Sequence, residues 1–171
     1  MVRKVVVTGP ESSGKSSMAE SLSVYFNAPL VVEYSRVYLN EQSGHYKKED
    51  LVSIAKGQLQ LEHLARKQDS NLIICDTSLE VIKIWSEYRY NTCDPFITQM
   101  LERSLPDLYL LMKPDIPWEA DPLRENPYDR DELYALYLKE LKQSGVPFYE
   151  IGGFGEDRYS LGESIVKKLF V

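Results

Sequence analysis

The stretch VVVTGPESSGKSSM, residues 5–18, constrains the fold more than any other segment. Three consecutive β-branched valines read as a buried strand. Residues 15–26 read as a helix, with apolar Met18, Ala19, Leu22 and Tyr25/Phe26 at spacings of three and four. Gly9 and Gly14 bracket the short loop between them. A strand that passes into a helix this way opens a βαβ unit, which needs a parallel neighbouring strand.

The rest of the chain repeats the alternation. KVVVTG (4–9), PLVVEY (29–34), NLIICD (71–76), DLYLLM (107–112) and PFYEIGG (147–153) read as five strands. Residues 50–68, 79–90, 95–104, 131–145 and 159–170 read as helices. Near-continuous apolar strands imply a parallel sheet covered on both faces. The expectation is an α/β three-layer P-loop NTPase fold with a five-stranded parallel sheet, of the nucleoside/nucleotide-kinase kind. It forms one domain over 1–171, and the polar, proline-rich segment 113–131 serves as a lid. Ligands of such sheets bind at the carboxyl ends of the strands. Residues 9–16, 33–36, 76–78, 113–130 and 152–158 are therefore the places to look.

A chain of 171 residues suits one core. The formal charge is −6, and no Lys/Arg-rich run is present. That argues against a nucleic-acid surface, whose affinity rests on phosphate neutralisation. No apolar stretch reaches the ~18 residues of a membrane span, and the N-terminal MVRKVVVTG is too short for a secretion signal. Cys75 and Cys93 form no C-x-x-C pattern, which points to reduced thiols and a cytoplasmic location. His45 and His63 stand alone and give no support for a histidine-built metal site.

GPESSGKS (9–16) matches G-x-x-x-x-G-K-[ST] in full, with a strand before it and a helix after. The spacing serves phosphate binding. Backbone N–H groups across Gly9, Pro10, Glu11, Ser12, Ser13 and Gly14 turn inward on phosphate oxygens, proline supplying none itself, and the helix start at Lys15, Ser16 and Ser17 adds partial positive charge. Lys15 reaches the outer phosphates of ATP, and the Ser16 hydroxyl ligates Mg²⁺. Asp76 closes the third strand, where a carboxylate can hold Mg²⁺; Ser78 is the candidate cap of the next helix.

A GTPase needs D-x-x-G after this strand and an N-K-x-D motif later. DTSL lacks the glycine, and MKPD (112–115) has Met112 in place of the amide. Three features suit phosphoryl transfer instead. Glu33 ends the second strand and can accept the proton of an attacking hydroxyl, with Arg36 three residues on as a substrate ligand. Arg124 and Arg130 lie in the lid, where arginines stabilise transition-state charge; Trp118 and Tyr128 are expected to pack it. GGFGEDR (152–158) follows the last strand, and Arg158 there is a candidate for stacking on adenine. The competing expectation is a regulatory ATP-binding module with no small-molecule acceptor.

These residues resemble the ribosylnicotinamide kinase domain at the C-terminal end of NadR-type NAD-biosynthesis proteins, within a wider group of P-loop AAA-like ATPases. GPESSGKSSMAESLSVYFNAP is similar to that family's G-x-E-S-S-G-K-S loop and helix. EYSR (33–36) looks like its E-Y-x-R, and PWEADPLR (117–124) resembles its P-W-x-x-D-x-x-R lid entry. The resemblance covers essentially the whole chain. It implies transfer of the ATP γ-phosphate to the 5′-hydroxyl of nicotinamide riboside, with Glu33 or Asp76 near that hydroxyl. Trp85 and Tyr88 become candidates for stacking on the pyridinium ring. The family's kinases typically carry a second acid two residues after the strand-end aspartate, where this chain has Ser78.

Overall fold

In the computed structural model, which describes residues 2–124 and 128–170, five strands form one parallel sheet in the order β2-β3-β1-β4-β5. Residues 125–127 of the expected lid lie outside the described residues. The strands are β1 (Arg3–Thr8), β2 (Leu30–Val31), β3 (Leu72–Asp76), β4 (Leu108–Met112) and β5 (Phe148–Ile151). The helices are α1 (Lys15–Phe26), α2 (Tyr34–Glu41), α3 (Asp50–Arg66), α4 (Leu79–Tyr90), α5 (Pro95–Arg103), α6 (Arg130–Ser144) and α7 (Gly155–Phe170).

The pleat explains the three layers. Successive side chains of a strand point to opposite faces. Val5 and Val7 of β1 pack with Met18, Ala19 and Leu22 of α1 and Val166 of α7. Val6, between them, joins Ala65 of α3, Ile84 of α4 and Tyr137 and Leu141 of α6 on the other face. All three valines have no solvent exposure, which is why this strand reads as a continuous apolar run. A third cluster lies among α3, α4 and α5, around Leu51, Ile54, Leu79 and Ile97. No helix among the described residues is long and apolar enough to cross a membrane.

Two boundaries differ from expectation. PLVVEY holds sheet structure only at Leu30–Val31, and the chain turns into α2 at Tyr34, a helix not anticipated. The Tyr34 N–H goes to Gln58 Oε1 of α3, at 2.9 Å, instead of continuing a ladder on β3. Gly57 makes this approach feasible, because a Cβ there would come within 2.0 Å of the Tyr34 ring. Tertiary contact thus overrides the strand propensity of Val-Val-Glu-Tyr. At the other end, α7 begins at Gly155, four residues before the expected start.

β1 also carries a charge into the interior. Lys4 has no solvent exposure. Its ammonium donates to Glu62 Oε2 at 2.6 Å, Ser78 Oγ at 2.9 Å and the Ser104 carbonyl at 3.1 Å. Three donors therefore meet three acceptors. Ser78 is the N-cap residue of α4, but its side chain makes no capping bond. Its hydroxyl donates to Glu62 Oε1 at 2.6 Å, because satisfying the buried Lys4–Glu62 pair takes precedence over the helix end.

Candidate active site

The phosphate loop leaves β1 at Gly9, whose φ is 138°. A Cβ there would sit 2.6 Å from the Met112 carbonyl of β4, so only glycine fits between the two central strands. Ser12 (φ 53°) and Gly14 (φ 80°) take left-handed conformations, which turn the loop back onto the start of α1. Ser13 Oγ donates to the Pro10 carbonyl at 2.7 Å, and Lys15 Nζ reaches the same carbonyl at 2.8 Å.

This loop forms one wall of a cavity of about 400 Å³ at the carboxyl edge of the sheet. Residues Gly9 through Ser17 line it, together with Glu33, Arg36, Trp85, Tyr88 and Arg124. The fold therefore gathers most of the expected site residues, drawn from four separate elements, around one cleft.

Glu33 stands at the N-cap of α2 and not at a strand end, and its carboxylate makes no cap bond. Oε1 accepts from Ser35 Oγ at 2.6 Å, and Oε2 lies 3.7 Å from Arg36 Nε. Arg36 also donates to Asp121 Oδ2 at 3.1 Å, tying α2 to the lid segment. Asp76 is 6% exposed and does not itself line the cavity. Burial pushes its carboxyl above the usual range, the Glu33 charge adds to this, and Lys15 and the Ser16 hydroxyl oppose it.

The donor set fits a magnesium ion. Asp76 Oδ1 is buried without a hydrogen-bond partner among the described residues, and the Ser16 hydroxyl is close enough to the same carboxyl to oppose its upward shift. Mg²⁺ prefers hard oxygen ligands and is commonly held by one or two protein groups plus substrate phosphates and water.

The segment that follows β4 contacts the loop through Ser12. Ser12 Oγ accepts from the Glu119 N–H at 2.9 Å. Arg124 lies within 3.5 Å of the same oxygen and donates to the Glu119 carbonyl. Arg130, expected over the phosphates, does not line the cleft. Its Nη1 donates to the Ser12 carbonyl at 3.1 Å and the Ile116 carbonyl at 3.0 Å, so it braces the loop from behind. Trp118 packs under both guanidiniums, 5.9 Å from that of Arg124 and 5.8 Å from that of Arg130. Tyr128 is 95% exposed and so is not packed against the described residues of this segment, contrary to expectation.

Arg158 also departs from its expected role of stacking on adenine. It is 5% exposed, and its guanidinium is committed to the Asp115 carboxylate and to the carbonyls of Ser13, Lys113 and Gly153. A guanidinium locked edge-on in backbone carbonyls offers no open face to a base.

The cleft includes residues outside the segments that strand-end reasoning marked. Leu39 comes from the unanticipated α2, Tyr46 from the loop before α3, and Leu133 and Tyr137 from α6. The apolar spacing of Tyr34, Tyr38 and Leu39 was a helical signal, hidden by the β-branched run before it.

The strand order, the flanking helices and the phosphate loop after the central strand define a P-loop NTPase fold of the nucleoside- and nucleotide-kinase type. A family model described as an AAA domain matches residues 4–158, and the chain belongs to that family. The chain is 28% identical over 156 residues to the trifunctional NAD biosynthesis/regulator protein NadR of Escherichia coli (strain K12), covering 88% of this chain and 38% of that protein. It thus spans well under half the length of this curated relative. A NadR protein solved in complex with NR has a TM-score of 0.83 at 19% identity, over 98% of this chain and 50% of that one. NadR with NAD and AMP-PNP gives 0.81, also at 19% identity, over 98% and 49%. Thymidylate kinase from Ehrlichia chaffeensis gives 0.65 at 16% identity, over 99% of both chains.

Proposed function

We propose that this chain is an ATP-dependent kinase acting on a nucleoside hydroxyl, with nicotinamide riboside the first acceptor to test. One observation carries the reading: a single cavity holds a complete phosphate loop, a carboxylate free of capping duty at Glu33, and an aromatic wall at Trp85 and Tyr88. A module that only binds ATP has no need of the last two. The similarity to NadR, and the NR and AMP-PNP bound to NadR structures, support the choice of acceptor and donor.

The steps follow from the residues. Loop N–H groups and Lys15 hold the ATP phosphates and draw charge from the γ-phosphoryl group. Ser16 and Asp76 would hold Mg²⁺, which neutralises phosphate charge when bound. The Glu33 carboxylate accepts the proton of the acceptor hydroxyl as its oxygen bonds to the γ-phosphorus. The bond from that phosphorus to the bridging oxygen breaks, and ADP leaves. Arg124 meets the charge spread over the transferring group. Trp85 and Tyr88 offer faces to the acceptor's ring, and a cationic pyridinium suits such faces.

The test is chromatography of purified protein incubated with ATP, Mg²⁺ and a nucleoside panel. The expected result is riboside-dependent ADP with a phosphorylated nucleoside in equal amount. The reading fails if no nucleoside, nicotinamide riboside included, raises ADP above the rate without acceptor.

A further inference from the structure

From residue 42 to residue 49, between α2 and α3, the chain is exposed at every position except Tyr46. Tyr46 turns inward and lines the cleft. Its ring meets the Trp85 indole edge-on, with centroids 4.5 Å apart and planes at 63°. Its hydroxyl oxygen accepts the Trp85 Nε1–H at 2.9 Å. The Arg89 guanidinium lies over the same ring, 4.9 Å from its centroid. Trp85 and Arg89 are four residues apart on α4 and share one helix face, so Tyr46 is seated between them.

This seating has a chemical consequence. An indole in a cleft carries one polar atom, the ring N–H, and a large apolar face. With the N–H taken by Tyr46, the indole is fixed in orientation and has only its face to give a ligand. Given the kinase activity proposed above, we propose that Tyr46 is a specificity-determining residue: it locks Trp85 so that the indole meets the acceptor's planar heteroaromatic base with its ring face and gives no hydrogen bond to the base's edge. The acceptor class is then a nucleoside with a flat aromatic base.

Trp85 and Trp118 are the two tryptophans of the chain, so a Trp118→Phe parent makes indole fluorescence report on Trp85 alone. The parent is titrated with nicotinamide riboside and, separately, with AMP-PNP. The riboside is expected to change the Trp85 emission. Adding Tyr46→Phe removes the hydroxyl acceptor and raises the riboside Kd about fivefold, the value of one hydrogen bond. Adding Tyr46→Leu also removes the aromatic edge and raises it by roughly tenfold or more. The AMP-PNP Kd stays within about twofold in both, as expected of contacts that are not shared. If both ligands weaken together, Tyr46 only anchors its loop and the proposal is overturned. An unchanged riboside Kd in both variants overturns it as well. A parent that binds AMP-PNP and no nucleoside removes the kinase reading, and this assignment with it.

Discussion

The Arg158 guanidinium donates to the Ser13 carbonyl at 2.7 Å across 145 residues of sequence. The same side chain reaches Lys113 and Asp115, which follow β4, and Gly153, which follows β5. Asp115 Oδ2 accepts the Gly153 N–H at 2.7 Å and closes the network. Partial burial alone would raise the Asp115 carboxyl, but the Arg158 and Gly153 bonds hold it below its usual value. One buried arginine thus fixes the phosphate loop against the base of the lid.

Arg158→Lys keeps the charge and loses the planar fork. The ammonium cannot serve all four acceptors in this geometry, and the phosphate loop loosens. The KM for ATP is expected to rise by about tenfold, equivalent to one or two lost hydrogen bonds, with the acceptor KM nearly unchanged. Steady-state kinetics with each substrate varied in turn provide the check.

Glu33→Gln keeps the shape of the side chain and removes its basicity. Loss of a positioned general base is expected to lower kcat by about 10²- to 10⁴-fold. Calorimetric AMP-PNP affinity should stay at the parent value if Glu33 serves the acceptor, as proposed, and not the phosphates. A variant with near-parent kcat would show that the hydroxyl loses its proton elsewhere.

The buried Lys4–Glu62 pair makes a stability prediction. Lys4→Met leaves the buried Glu62 carboxylate without its counter-charge, and Glu62→Gln leaves the buried ammonium with neutral acceptors only. Each is expected to destabilise the fold by about 3–5 kcal/mol. The double variant Lys4→Met/Glu62→Leu removes both charges and should recover much of the loss. Urea midpoints of the three variants and the parent measure this.

Glu80 makes a pH prediction. Burial pushes its carboxyl up to about 7, with Lys4 only partly opposing. The folded chain then holds a proton that the unfolded chain releases between the ordinary 4.5 and about 7. Over that window this group's contribution to stability falls as pH rises, and above it the full penalty of a buried charge remains. Glu80→Gln has no such charge. Its melting temperature should gain on the parent's from pH 4.5 to 7, reaching several degrees and then holding constant, as thermal melts across pH will show.

The sequence by itself determined the sheet, its two covered faces and the phosphate loop. Val5, Val6 and Val7 announce a strand buried on both sides, and Gly9, Gly14, Lys15 and Ser16 announce the cradle, because both signals lie within a few residues. Spacing on that scale is what periodicity and backbone conformation record. The identity of long-range polar partners is not. Tertiary structure alone decided that Gln58 would take the Tyr34 N–H and start α2, that Lys4 would draw Ser78 away from capping, and that Tyr46 would hold Trp85. It also turned Arg158 from a candidate adenine ligand into a brace. A buried hydrogen-bonding group must find a partner, but which one depends on elements brought together only after the chain has folded.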